Sequence, residues 1–267
     1  MILLIKNILK ECLNMEVMDE KLAMARIRDL FRAAEKKGDY AASNFLTPLE
    51  QEMVFDISRE FPEVKFFFEG GYKEAERKIL VTYPEYVEGR PFVAPVKALR
   101  VKVREEDAFP GHRDFLGSIL GLGISREKIG DVLVKKGEAI VIVKEEIIEF
   151  LGLNLNKVKN FDVETEEITL KEIIAPEKTY KEVKGTVASL RLDAVASLAF
   201  GVSRSKMAPY IKGENVRVNF KIISDPSHEV KEGDIISATR MGRAKVEKIG
   251  GESKKGRIYV TIHRFTG

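Results

Sequence analysis

The stretch from Arg191 to Ile236, RLDAVASLAFGVSRSKMAPYIKGENVRVNFKIISDPSHEVKEGDII, constrains the fold more than any other part of the chain. Leu192, Val195, Ala196 and Ala199 recur at three- and four-residue steps, so they share one helix face, with Arg191 at the first turn expected to point outwards. Gly201 ends that helix. Ser203 stands where an N-cap belongs, and Met207 and Ile211, four apart, give a second helix its buried stripe. The first turn of this second helix presents Arg204, Ser205 and Lys206 together with backbone N–H groups, two kinds of phosphate donor in one place. After Gly213, Val216 and Val218 alternate with Arg217 and Asn219 in a strand flanked by Lys212 and Lys221. Turns at Asp225-Pro226 and Glu232-Gly233-Asp234 then lead to Ile235 and Ile236. Pro209 is expected to kink or shorten the second helix. Phe220, following Asn219, gives no licence to assume a tight Asn-Gly type of turn.

Charge supports a polyanion-binding role for this end of the chain. The net charge of the 267 residues is +3, but from Lys181 onwards 17 Lys and Arg face 9 Asp and Glu, leaving 28 against 33 in the remainder. The basic surface therefore lies at the C-terminal end. A single cysteine, Cys12, excludes an internal disulfide framework and fits a reducing compartment. His112, His228 and His263 are far apart, and no Cys or His pair has metal-ligand spacing, so no metal or cofactor is expected. The apolar opening MILLIKNILK is short, carries Lys6 and Lys10 and lacks a cleavage site, so it reads as the start of a helix. No run approaches the ~20 apolar residues of a membrane helix, and the expected location is the cytoplasm.

In chain order, Lys21 to Lys37 carries an apolar stripe at helical spacing, stopped by Gly38 and Asp39. Thr47, Pro48 and Glu50 form the start of a second helix with a capping box. Val64 to Phe68 reads as a strand whose three Phe are core. Strands at Ile79 to Tyr83 and Ala98 to Val103 follow. A helix from Arg113 to Leu120 turns Phe115, Leu116, Ile119 and Leu120 inwards, with Gly117 and Gly121 expected to let it approach a sheet closely. A hairpin (Asp131 to Val134 with Glu138 to Val143), a helix from Lys144 to Leu151 and a strand near Val158 to Val163 complete an α/β sandwich order. At the C-terminal end, Ala244 to Ile249 and Arg257 to Arg264 read as a hairpin.

By residue order and spacing, Arg191 to Ile236 resembles the S-four domain, the small RNA-binding domain named after ribosomal small-subunit protein four. FLTPLEQEM from Phe45, EGGYKEAERK from Glu69 and FPGHRDFLGSILGLGISREKIGDVLV from Phe109 resemble the YlmH family of bacterial RNA-binding proteins. That resemblance implies an α+β chain with a helical N-terminal region (1–62), an RNA-recognition-like α/β domain (63–176) and an S-four-type domain (177–267, core 191–236) with a β extension. It implies RNA binding without known catalysis, association with the large ribosomal subunit and a role in dealing with stalled peptidyl-tRNA; links to cell division have also been proposed for the family.

The residues expected to contact RNA are Arg191, Ser203, Arg204, Ser205, Lys206, Lys212, Arg217 and Lys221, with Arg191 and Arg204 bracketing a phosphate. Arg113, Arg126, Lys128, Arg240, Arg243 and Lys245 are secondary candidates. The expected partners are structured RNA, rRNA and tRNA, on the large ribosomal subunit, with no membrane and no small-molecule substrate. Two alternatives are an RNA-modifying enzyme, pseudouridine synthase-like, and a cell-division adaptor. Against the enzyme, Leu190 to Asp193 faintly echoes a synthase's Gly-Arg-Leu-Asp but lacks its continuation, so Asp193 reads as a helix acid or salt-bridge partner. Gly121-Leu122-Gly123 lacks the third glycine of a nucleotide cradle. His112-Arg113-Asp114 stands without the other parts of a kinase. No catalytic residue is expected.

Overall fold

The computed structural model describes residues 2–104, 109–175 and 179–266, with side chains from residue 20 onwards, so the side chain of Cys12 lies outside those described. The chain divides into two compact units, Met1–Pro176 and Glu177–Gly267.

The first unit opens with helix α1 (Ile2–Lys37), which buries Ile27, Phe31 and Ala34 at four- and three-residue steps. After Gly38, at φ +66°, comes strand β1 (Ala41–Leu46). Helix α2 (Pro48–Ser58) starts with the expected capping box: the Thr47 hydroxyl accepts from the Glu50 N–H, and the Glu50 carboxylate accepts from the Thr47 N–H at 2.6 Å. Strands β2 (Val64–Glu69) and β3 (Lys78–Pro84) then pair, giving an antiparallel sheet in the order β1-β3-β2. This corrects the expected start of the middle domain at residue 63, because both strands belong to the N-terminal sheet. The reason lies in β1, whose AASNFL has too little apolar alternation to be read as a strand. Phe66 and Phe68 pack towards Phe31 and Phe55, as core residues should. Phe67 points to the other face and is 37% exposed.

The middle of the chain supplies β4 (Val96–Val103), α3 (His112–Gly121), β5 (Ile129–Lys135), β6 (Glu138–Lys144), α4 (Ile148–Asn154), β7 (Lys157–Val158) and β8 (Phe161–Ile168). The sheet order is β5-β6-β4-β8-β7, antiparallel throughout; without the two-residue β7, the elements follow the β-α-β-β-α-β sequence of a split βαβ fold. Leu99, Val101, Val141 and Val143 pack beneath α3 and α4 through Phe115, Ile119 and Leu151. The expected glycine approach does not occur: a Cβ at Gly117 or Gly121 would meet only open space, and Leu120 is 36% exposed.

The opposite face of this sheet is occupied. Val96 and Ile142 pack with Phe45 and Ile79 of the N-terminal sheet, while Ala98 and Ile140 are covered by Leu170 and Ile173. Its remaining polar edge is an ion-pair lattice in which Arg100 meets Glu138, Glu166 and Glu172. The described residues of these strands contribute no aromatic side chain of their own to that face; the Phe45 ring lying on it comes from the N-terminal sheet. The two sheets are locked through Asp131, which accepts from the Tyr72 hydroxyl (2.8 Å) and the N–H groups of Glu76 (2.7 Å) and Arg77 (3.1 Å). Burial, then the bond to Asp131, pushes the Tyr72 phenol above its usual range.

The second unit contains β9 (Tyr180–Val187), α5 (Leu192–Phe200), α6 (Arg204–Lys212), β10 (Val216–Val218), β11 (Lys221–Ile222), β12 (Ile235–Ala238), β13 (Gly242–Glu252) and β14 (Ile258–Phe265). Its strands form one antiparallel sheet in the order β11-β10-β12-β13-β14-β9. Helix α5 is buried on nearly every side, with Leu192, Val195, Ala196 and Ala199 against Val187, Val260 and Ile262. Pro209 does not shorten α6, which runs on to Lys212 with the Gly213 N–H on the Pro209 carbonyl at 3.0 Å. Strand β9 was not anticipated; its Gly185 sits where a Cβ would come within 2.6 Å of Leu198. Among the described residues, no helix is long and apolar enough to cross a membrane, and no group of His, Cys, Asp and Glu could hold a metal ion.

Candidate nucleic-acid interface

Helix α6 brings four of the expected contacts together. Ser203, Arg204, Ser205 and Lys206 are all exposed on its first turn, while Met207 and Ile211 anchor the helix in the core. Ser203 occupies the N-cap position but does not cap with its side chain; its hydroxyl instead lies 2.9 Å from that of Ser205. The role expected of the Ser203 side chain is therefore corrected. The paired hydroxyls turn along the surface instead of back onto the helix N–H groups.

The start of α5 is closed by backbone. Leu192 N–H donates to the His228 carbonyl at 2.8 Å, and Asp193 N–H to that of Pro226 at 3.1 Å. These bonds satisfy donors that a helix start otherwise leaves open. Arg191 is not simply turned outwards either. Its guanidinium reaches back to Asp193 (3.3 and 3.4 Å), and Arg204, from the other helix, donates to both Asp193 carboxylate oxygens at 2.9 and 2.8 Å.

Arg191 and Arg204 thus do bracket an anion, and in this structure it is the Asp193 carboxylate. The Asp193 side chain is only 8% exposed, whereas Arg191 and Arg204 remain 43% and 49% exposed. Burial pushes the Asp193 carboxyl up, but the hydrogen bonds from Arg204 and Arg191 outweigh it and hold the group below its ordinary value. The result is a fixed fork of two cations across the helix junction, each with an open side. Asp193 behaves as the salt-bridge partner expected of it.

The remaining primary candidates are spread out. Lys212 lies at the far end of α6, about 12 Å along the helix from Arg204. Arg217 faces away from the helices, because its neighbours Val216 and Val218 point towards them. It does not join the α6 group, which corrects its expected placement on the same basic side. Lys221 follows a tight turn: Asn219 and Phe220 both have positive φ (48° and 68°), and Val218 pairs with Lys221 across two residues. That geometry normally selects Asn-Gly. Phe220 adopts it at a cost of roughly 1–2 kcal/mol, held by Asn219, whose amide donates to Asp234 (2.8 Å) and accepts from the Ile235 N–H (2.9 Å). The Arg243 guanidinium lies over the Phe220 ring at 5.8 Å.

Of the secondary candidates, Arg126 is structural. It is half-buried and donates to the Ile129 and Gly130 carbonyls; burial, then the charge of Arg77, brings its pKa down to about 10. Lys128 pairs with Glu146 at 3.4 Å. Arg113 is exposed at the start of α3, where the neighbouring Asp114 carboxylate accepts from the Gly111 N–H at 3.0 Å. Arg240, at φ +64°, marks the turn between β12 and β13, and Lys245 pairs with Glu247 at 2.8 Å.

Comparison with known proteins matches three modules along the chain. The family description "YlmH, N-terminal" matches residues 19–87, "Putative RNA-binding domain in YlmH" matches 97–172 and "S4 domain" matches 190–236. A curated relative, "Ribosome-associated protein quality control protein P2" of Bacillus subtilis (strain 168), is 31% identical over 246 residues, which is 92% of this chain and 95% of that protein. The chain belongs to the YlmH family. The solved structure of "Cell division protein ylmH from Streptococcus pneumoniae" matches with a TM-score of 0.52 at 17% identity, covering 58% of this chain and 94% of that one. This last likeness is one of fold. Within the family frame, the first unit holds the YlmH N-terminal and middle modules, and the fork of Arg191 and Arg204 falls in the S-four RNA-binding domain.

Proposed function

We propose that this YlmH family protein binds structured RNA, rRNA and tRNA of the large ribosomal subunit, through the exposed first turn of α6 and the Arg191–Arg204 fork. The observation that carries this reading is the fork itself. Two guanidiniums from different helices are held side by side by a buried carboxylate, with their outer faces open and Lys206 adjacent. Guanidinium groups fixed in this way suit the spaced phosphates of a folded RNA backbone, where position matters more than base identity.

The reading is of a binding protein and not an enzyme. Asp193, the acid of the faint synthase echo, is buried and neutralised by two arginines, and Asp114, the acid of the His112-Arg113-Asp114 run, accepts from the Gly111 N–H at the start of α3. The printed name of the Bacillus relative supports a place in ribosome-associated quality control. The expected location is the cytoplasm.

Sedimentation of the purified protein with separated ribosomal subunits, with and without bound tRNA, tests the proposal. Preferential co-sedimentation with large subunits carrying tRNA is the expected result. Equal binding to both subunits at every salt concentration would reduce the protein to a general RNA binder. A modified nucleoside missing from the RNA of a deletion strain would favour the RNA-modifying enzyme instead.

A further inference from the structure

We propose that the face of the six-stranded sheet turned away from α5 and α6 binds a single-stranded RNA segment, so that the protein engages a structured RNA together with its unpaired flank. The proposal rests on the RNA-binding reading above and adds a second surface with a different chemistry.

Strand alternation defines the face. Val183, Val246, Val260 and Ile262 point to the helices, so Tyr180, Glu182, Lys245, Tyr259 and His263 point the other way. The rows run straight across the sheet. Arg217 lies opposite Ser237 and Ser237 opposite Arg243; one step along, Lys245 lies opposite His263 and His263 opposite Glu182. From β10 to β9 such a row spans four strand spacings, about 19 Å.

Two features single this face out from an ordinary solvated one. The first is charge: Arg217, Arg243, Lys245, Lys248 and Lys184 stand against Glu182 and Glu247, among the described residues. The two carboxylates are engaged within the face, Glu182 with Lys184 at 2.8 Å and Glu247 with Lys245 at 2.8 Å. Positive charge remains in excess. The second is exposed aromatic surface. Tyr180 stacks on His263 with ring centroids 3.8 Å apart and planes 16° from parallel, yet is 51% exposed. The remainder of its surface is open to solvent beside that stack. Tyr259, farther along β14, is 53% exposed, and Phe220 with Arg243 forms a third aromatic site at the β10–β11 turn.

Basic side chains tracking a backbone, interleaved with aromatic rings for base stacking, form a surface for unpaired nucleotides, because a base inside a duplex has no free face to offer. The sheet face of the middle domain is covered instead: Phe45 and Ile79 pack on Val96 and Ile142, Leu170 and Ile173 on Ala98 and Ile140, and Arg100 pairs with Glu166 at 3.1 Å.

The test uses the full-length protein and two probes at one salt concentration: a blunt RNA hairpin, and the same hairpin with a short single-stranded tail. The tail should tighten binding about tenfold through stacking. A Tyr180→Ala, Tyr259→Ala double variant should lose that gain while binding the blunt hairpin as before. Tyr180→Phe with Tyr259→Phe, which keeps both rings, should restore it. Retention of the full gain by the alanine variant would overturn the proposal, as would a wild-type protein that binds the blunt hairpin but gains nothing from the tail. If neither probe binds even at low salt, the RNA-binding reading itself fails. Binding of a polyglutamate peptide that is weakened by Lys248→Gln but indifferent to both tyrosine changes would assign the face to an acidic protein partner and also overturn the proposal.

Discussion

Asp193 sets the geometry of the candidate interface at the scale of one residue. Its carboxylate is the point where α5 and α6 meet electrically, and its folded-state pKa is depressed despite burial. For a depressed acid, the stabilisation is complete above the unfolded value near 3.8 and is lost as pH falls through the lower folded value. Asp193→Asn should lower stability at neutral pH by about 1–3 kcal/mol, and its thermal midpoint should fall less steeply below about pH 4 than that of the wild type. Parallel pH profiles for the two proteins would contradict the assigned role. The sequence marks Asp193 as a pairing acid, but not its partner: Arg204 belongs to the next helix, and only helix packing brings it within 2.8 Å. Phe220 illustrates the opposite limit. Turn chemistry argues against a residue of its kind in a left-handed turn, and the side-chain bonds of Asn219 to Asp234 and Ile235 override that local preference.

At the scale of elements, periodicity revealed the helices and most strands, because α1, α2, α5 and α6 bury stripes that can be read from residue spacing. It missed β1 and β9, whose short or lysine-rich sequences carry little alternation. Their absence from the sequence reading left β2 and β3 within the expected middle domain and hid the aromatic face beside β14. Contacts between separate elements were likewise illegible. The bond of Tyr72 to Asp131 joins residues far apart in sequence, and it locks the N-terminal sheet to the middle one. Asp131→Ala would leave the Glu76 and Arg77 N–H groups and the Tyr72 hydroxyl without this acceptor, at a cost of about 2–3 kcal/mol. In urea, the transition of the first unit should move to lower denaturant while that of the second stays in place. A variant with an unchanged midpoint would show that the apolar contacts around Phe45 and Ile142 hold the joint alone.

For the whole molecule, the near-neutral total hides a division of labour. The first unit pairs Arg100 with Glu138, Glu166 and Glu172 across its sheet, whereas the second places exposed cations on α6 and on the sheet beyond it. The central claim is that α6 and the fork hold RNA phosphates. The most direct measurement is RNA affinity across a salt series for the wild type and an Arg204→Ala, Lys206→Ala variant whose fold is verified by thermal melting. Loss of two phosphate contacts should reduce the slope of log affinity against log salt by about 2 and weaken binding at every salt concentration below the point where both proteins release RNA. An identical slope and affinity in the folded variant would contradict the account.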